Sequence, residues 1–316
     1  KLIVFYALGL AICIDYIVGW PNKFVNLIGH PVIFIGRAIS WFEKYFNSGS
    51  KVQKIICGGF STLLLIAFFY LFAYYIELYI VTHTNGWITL IILAILTWPW
   101  LAIKSMHIHI SNILVPLSNS DIEKARYELS MIVGRSTGTL DENEISRSAI
   151  ESLAENTSDG VIAPLFWCVA LGLPGLVAYK VINTADSMIA YKSERFKDYG
   201  LVAAKIDDVA NYIPARLTAV LYSFVGFSPT KLWGLRHEVK FHRSPNAGWP
   251  EGIVARILNV KLSGPRIYNN RVSTDAWLNA DAPDATPRSV REALKLFNKV
   301  IIILIFLFFL MGLIFK

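Results

Sequence analysis

Apolar residues in this chain come in long runs, not in the two-residue alternation of exposed strands. The runs are residues 2–18, 55–81, 87–103 and 300–315, and Glu77 is the one charge inside 55–81. A helix needs about 20 residues, within a range of roughly 17–25, to cross the hydrocarbon of a bilayer. All four are therefore transmembrane candidates, with 55–81 long and the others short. Two further apolar stretches, 161–182 and 213–227, are interrupted by "GLPGL" and by Pro214 with Arg216. Irregular backbone at membrane depth is tolerated only where protein buries it or it lines a cavity. The expectation is an apolar hairpin entering from one side, with two full crossings as the alternative.

Composition agrees with the pattern. The 316 residues are 54% hydrophobic and 17% charged, with mean hydropathy +0.48. A soluble domain carries about 25% charge. The predicted class is an all-α integral membrane protein, one domain over 1–316. It has about four transmembrane helices, the hairpin and helical cytoplasmic loops. Lys23, Arg37, Lys44, Lys51 and Lys54 lie in the loop 20–54, whereas "THTNG" at 82–86 has no cation. The positive-inside rule puts the first loop in the cytoplasm and the second outside, in a plasma or inner membrane. The hairpin keeps Lys192, Arg195, Lys197 and Lys205 cytoplasmic as well, so every polar cluster faces that side. Residues 2–14 resemble a signal-peptide core, but Asp15 and "YIVGWP" follow where small residues belong, so a retained anchor is expected.

The net charge of +7 is spread over the loops, without the basic, aromatic-interleaved stripe of a nucleic-acid binder. Cys13, Cys57 and Cys168 each lie in apolar sequence, where thiols act as small hydrophobes. No zinc spacing, phosphate-binding P-loop, nucleophile elbow or dinucleotide fingerprint is present.

Chemistry concentrates between residues 147 and 218. Asp141 with Glu144 reads as a capping box opening a helix toward Asn156. On that helix Arg147, Glu151 and Glu155 recur at four-residue spacing, as do Ile145, Ala149 and Leu153 on another stripe. A solvated ion-pair face is the ordinary reading. "NTSDG" then carries Asn156 and Asp159 into apolar sequence. "NTADS" sets Asn183 and Asp186 three apart, and "DDVAN" sets Asp207 or Asp208 against Asn211. Asn and Asp often cap helices, yet carboxylates are costly to desolvate. Such a density beside membrane segments marks a site. Converging carboxylates suit Mg²⁺, which takes oxygen ligands and shares them with substrate phosphates. Arg195, Lys205 and Arg216 are available anion clamps. His30 suits either a substrate contact or a structural role, and His107 and His109 lack a carboxylate at ligand spacing. His237 and His242 flank "HRSPNAGWPEG", whose amides with Ser244 and Asn246 could cradle an anion, against an ordinary loop.

Taken together, "GHPVIFIGR", "ESLAENTSDGVIAPLFW", "YKVINTADSMIAYKSERFKDYG", "AAKIDDVANYIPARLTA" and "HRSPNAGWPEGIVARILNVKLSGPRIY" resemble the CobD/CbiB family of cobalamin biosynthesis, in the family's order. In "DYIVGWPNK", Trp20 stands where that family has an acidic residue. The resemblance implies an enzyme joining the propionate of adenosylcobyric acid to aminopropanol phosphate, or free aminopropanol, using ATP and Mg²⁺. The implied Mg²⁺ ligands are Glu151, Asp159 and Asp186, and Glu151 is also placed in the catalytic set. Glu155 or Asp208 is the implied base, and Arg195 and Arg216 are phosphate clamps. Asn156, Asn183 and Asn211 position substrate, and Ser244 with Asn246 makes a second anion or corrinoid contact. The corrinoid enters as a substrate from the membrane surface. Two other classes stand beside this one: an Mg²⁺-dependent intramembrane prenyl- or phosphatidyl-alcohol transferase, and a non-catalytic corrinoid carrier. The sequence fixes no oligomeric state.

Overall fold

A computed structural model describes residues 2–21, 24, 29–190, 193–265, 267–268, 271–272 and 274–315. Lys23 and Lys192, two of the loop cations, lie outside them. The chain is helical nearly throughout: α1 (Leu2–Ile17), α2 (Pro31–Phe46), α3 (Lys51–His83), α4 (Gly86–Thr97), α5 (Ile103–Ser118), α6 (Ile122–Ser130) and α7 (Glu142–Thr157). A π turn (Ser158–Ile162) follows, then α8 (Ala163–Ile189), α9 (Leu201–Ala210), α10 (Tyr212–Val225), α11 (Leu235–Val239), α12 (Gly248–Leu258) and α13 (Pro287–Ile314). Strands are two-residue pieces: β1 (Leu262–Ser263) pairs antiparallel with β4 (Trp277–Leu278), and β2 (Ile267–Tyr268) with β3 (Arg271–Val272).

This is an all-α membrane protein. Four helical stretches are long and apolar enough to cross a bilayer: Lys51–His83, Gly86–Ser118, Glu142–Ile189 and Pro287–Ile314. The set differs from the one read from hydropathy in two places. Leu2–Ile17 is a 16-residue apolar helix outside those four. Residues 161–182 fall inside Glu142–Ile189, where 67% of the apolar window is buried in protein, against 28% for Lys51–His83. The other arm of the expected hairpin, 213–227, is the 14-residue α10.

Two compact units form. The first comprises Lys1–Ala102, Ala163–Asn211 and Leu304–Lys316. Ile35 and Ile39 of α2, Leu65 of α3, Val181, Ala185 and Ile189 of α8, and Ala203 of α9 make its core with Tyr199. α3 approaches closely because Gly58 faces the Tyr199 carbonyl, which a methyl there would strike. α1 meets the end of α13 through reciprocal small-large pairs, Gly9 against Phe309 and Gly312 against Tyr6, the device membrane helices use in place of hydrophobic drive. Ser50 opens α3 with a capping box, its hydroxyl accepting from the Gln53 N–H while the Gln53 side chain accepts from the Ser50 N–H.

Glu77, the lone charge of the apolar run 55–81 within α3, has a structural task. Within α8, Gly172 adopts φ 74, ψ −165 and breaks the helix at "GLPGL". The Leu173 N–H, left without a helical acceptor at the restart, bonds the Glu77 carboxylate. The glycine is needed both for its positive φ and because a Cβ there would press on the Glu77 oxygens.

The second unit comprises Ile103–Ile162 and Tyr212–Ile303. Asp141 and Glu144 form the expected capping box at the start of α7. The helix is not half-solvated, however, because every residue from Ile145 to Ala154 is buried. Its polar stripe therefore faces protein, and each charge there has to be matched.

Gly58→Ala should lower stability by about 1–3 kcal/mol, the usual range for overpacking. Gly86→Ala, at the open start of α4 with nothing within 4 Å, should stay within about 0.5 kcal/mol of the parent. Thermal unfolding of both variants in detergent checks this, and equal melting would mean that the α3 approach is looser than described.

Candidate functional site

In the first unit, α8 brings Tyr179, Asn183 and Asp186 onto one face by helical period. Asp186 is half-buried and feels the charge of Asp208 on α9. Asp208 also lies 3.4 Å from the ammonium of Lys205, one turn earlier. Asn211 caps α9 and is fully enclosed. Its Oδ1 accepts from the Tyr179 hydroxyl at 2.9 Å, and its Nδ2 donates to Asp207 at 3.0 Å. The Trp167 indole donates to the Ala210 carbonyl at 3.1 Å beside it. Asn211 thus pins α9 to α8 and holds the carboxylate-bearing stretch in place.

Arg195 grips Glu43 of α2 with two parallel bonds, 3.0 Å from Nε and 2.7 Å from Nη2. Asn47 closes the group by donating to Glu43 and to the Arg195 carbonyl. The guanidinium, read from sequence as a phosphate clamp, here latches the loop after α8 onto α2. Arg195 and then Asn47 hold the Glu43 carboxyl below its ordinary range, though burial opposes them. His30 caps α2, its Nδ1 accepting from the Val32 N–H at 3.3 Å. Burial and the charge of Lys180 lower its pKa. Trp20 packs against His30 and Trp98, so an aromatic cluster fills the place where an acid was expected.

In the second unit, Glu151 is buried on α7. Its Oε1 accepts the Ser263 N–H at 2.6 Å, and its Oε2 lies 3.6 Å from the Arg135 guanidinium. Those contacts tie α7 to β1 and to the segment before the helix. Glu155, Asn156 and Asp159 are half-buried at its end, and Asn156 donates back to the Ser152 carbonyl at 2.9 Å. The π turn Ser158–Ile162 carries Asp159. Such turns widen a helix locally and recur at functional sites.

On α10 the Arg216 guanidinium lies 3.5 Å from the ring centroid of Tyr212 and 4.8 Å from that of Trp249. Its Nη1 donates to the Tyr212 carbonyl at 2.6 Å and to Asn246 Oδ1 at 3.2 Å. Ser244 organises the turn before α12, its Oγ accepting from the Asn246 and Ala247 N–H groups at 3.3 and 3.1 Å. Those amides are engaged within the loop and do not form an open cradle. Behind them His242 and Glu251 lie buried, 3.4 Å apart, with Nε2 and Oε2 close but not aligned for a hydrogen bond.

Comparison with known proteins gives the family of the chain. A family model described as "CobD/Cbib protein" matches residues 8–297. The chain belongs to the CobD/Cbib family. Among its relatives, the cobalamin biosynthesis protein CobD of Rhodobacter capsulatus is 42% identical over 293 residues, covering 92% of this chain and 91% of that protein. The protein of the same name from Brucella suis biovar 1 is 44% identical over 310 residues, covering 94% and 92%. That of Sinorhizobium fredii is 37% identical over 308 residues, covering 94% and 93%. No solved structure matches the chain.

For this CobD/Cbib chain, no group of three or more His, Cys, Asp or Glu side chains among the described residues is placed to hold a metal ion. Of the expected ligands, Glu151 and Asp159 lie in the second unit and Asp186 in the first, and Glu151 is already bonded to Ser263. Asp186 with Asp208 fits the other mode, in which one or two carboxylates share Mg²⁺ with substrate phosphates. Sequence reasoning missed Tyr179, Trp249 and the His242–Glu251 pair. Tyr212 and Arg216, four apart on one helix, were legible as a cation–aromatic pair.

Burial opposes charge on His242, but the Glu251 carboxylate outweighs it, so the folded pKa is raised. A raised histidine pKa contributes stability below the unfolded value of about 6.5 and loses it as pH climbs through the folded value. The stability lead of the parent over Glu251→Gln should therefore shrink from pH 6 toward pH 8, and thermal unfolding at both pH values reads it. A constant difference would remove the ion pair.

Proposed function

We propose that this CobD/Cbib chain is a membrane ligase of cobalamin biosynthesis. It joins the free carboxylate of adenosylcobyric acid to the amine of aminopropanol phosphate, or of free aminopropanol, at the expense of ATP. The observation that carries the reading is the family match over 8–297, with relatives named for cobalamin biosynthesis at 42–44% identity.

The chemistry asks for activation, because a carboxylate and an ammonium do not condense at neutral pH. In the proposed sequence a carboxylate oxygen of the corrinoid attacks the terminal phosphorus of ATP, releasing ADP and leaving an acyl phosphate. The amine then attacks the acyl carbon, phosphate departs with the C–O bonding pair, and an amide remains. Asp186 and Asp208 are the proposed Mg²⁺ ligands, together with substrate phosphate oxygens. Mg²⁺ bound there supplies charge neutralisation on the transferring phosphoryl group. Asn183 positions substrate on the same face of α8. A carboxylate base takes the ammonium proton, since the amine attacks only when neutral. The substrates enter from the cytoplasmic side of the plasma or inner membrane.

Purified protein with adenosylcobyric acid, aminopropanol phosphate and Mg-ATP should yield the amide and stoichiometric ADP by mass spectrometry. Asp186→Asn should cut the rate by roughly 100-fold or more with melting unchanged. A near-parental rate would remove Asp186 from the reaction, and no product from the parent protein would sink the ligase.

Orientation is tested separately. A cysteine at Asn85 should react with an impermeant maleimide on intact cells, and cysteines at Lys44 and Lys124 only after the membrane is opened. External labelling at Lys44 would invert the topology.

A further inference from the structure

A cleft of about 580 Å³ opens in the second unit beside α10, α11 and α12. It lies within the 300–1,000 Å³ range of small-molecule sites. Arg216, Arg236, Lys240 and Arg243 line it with Tyr212 and Trp249, and no Asp or Glu is among its lining residues. Concave surfaces lined by one sign of charge concentrate counter-ions. We propose that this cleft is the seat of a polyphosphate, the tail of a nucleoside triphosphate, a reading that rests on the ATP-dependent ligation above.

The arrangement favours a polyphosphate over a single phosphate. A lone phosphate needs one fork or one ammonium. Here the cations are spaced along α11 and the loop after it, with Arg236 and Lys240 four apart, one helical turn. A chain of linked phosphates can meet all of them, whereas a monoester leaves positive charges facing one another. Arg216 is the rigid member of the set. Its stacking on Tyr212 and Trp249, with both hydrogen bonds made from Nη1, fixes the plane of the guanidinium. Nε and Nη2 keep donors for a bidentate grip on phosphate oxygens. Fixing the fork before binding removes the rotamer entropy that a free arginine would lose. Burial first, and the nearby charge of Arg236 last, lower the Arg216 pKa, while Tyr212 opposes the shift. The chain has no P-loop, so side-chain cations would do the work that backbone amides do in that motif.

The test uses the full chain in lipid-free detergent, with sodium tripolyphosphate and orthophosphate as probes in calorimetric titrations. Tripolyphosphate should bind the parent at least roughly ten-fold more tightly than orthophosphate, weakening as salt rises. Arg236→Gln with Lys240→Gln, both at exposed positions, should lose roughly ten-fold or more of that affinity, about 1.4 kcal/mol, with melting unchanged. If the double variant melts early, Lys240→Gln alone should still weaken binding by roughly three-fold or more. Equal affinity in parent and variants, or orthophosphate binding as tightly as tripolyphosphate, overturns the seat. Displacement of the probe when the protein is moved into phosphatidylglycerol nanodiscs would give the cleft to a lipid headgroup and overturn it too. The two readings fail separately. Tripolyphosphate binding without amide product sinks the ligase and leaves the seat. Amide formation by the double variant with an unchanged Michaelis constant for ATP sinks the seat and leaves the ligase.

Discussion

The bond from the Leu173 N–H to the Glu77 carboxylate answers the constraint that governs the first unit: no backbone donor in an apolar interior can be left without a partner. Gly172 breaks α8, and a break in a helix exposes N–H groups at the restart. Water is not at hand in such a setting, so a side chain on α3 supplies the acceptor. Much else in that unit follows from bringing α3 and α8 close enough for the bond to form. Gly58 and Gly200 clear backbone for the Tyr199 and Ile189 carbonyls, and Ile35, Leu65 and Val181 fill the space that remains. An intramembrane carboxylate is a functional hypothesis by default. Here its position against a broken helix accounts for it.

The second unit meets the same constraint with charges in place of amides. α7 is buried from Ile145 to Ala154 yet carries Arg147 and Glu151. Glu151 is matched by the Ser263 amide and by Arg135, and Arg147 lies 5.0 Å from the Trp277 ring centroid. Removing one partner of such a set leaves a buried charge exposed to its own desolvation cost, which is why buried pairs are costly to break even where they add little net stability. The short β1–β4 ladder makes sense in this light. It is too small to be a sheet in its own right, but it holds the Ser263 amide against α7.

The helical class and the long apolar spans were legible because hydrophobic run length is a local property. The capping box at Asp141 was legible for the same reason, since both partners lie within one turn. Which carboxylates stand free for chemistry was not legible. Glu151 and Asp186 look alike in sequence, each beside small and apolar neighbours. They differ only through residues 112 positions away in one case, Ser263, and through Asp208 in the other. Arg195 and Arg216 pose the same problem. One is held by Glu43, 152 residues distant, and the other by aromatic rings on its own and a neighbouring helix. Long-range pairing decides whether a charged side chain is a strut or a ligand, and periodicity carries no trace of it.

The contrast between those two arginines separates binding from architecture in physical terms. Arg195 has a carboxylate partner in bidentate geometry, so its charge is already neutralised and an incoming anion would have to displace Glu43. Arg216 is stabilised by ring faces and neutral carbonyl oxygens. Such contacts orient a guanidinium without cancelling its charge. A protein that needs a cation kept available in a partly buried setting has few means of holding it, because any carboxylate close enough to hold it also quenches it. Stacking between Tyr212 and Trp249 resolves that conflict, which is why the ring pair, more than the count of positive charges, suits the cleft to an anion.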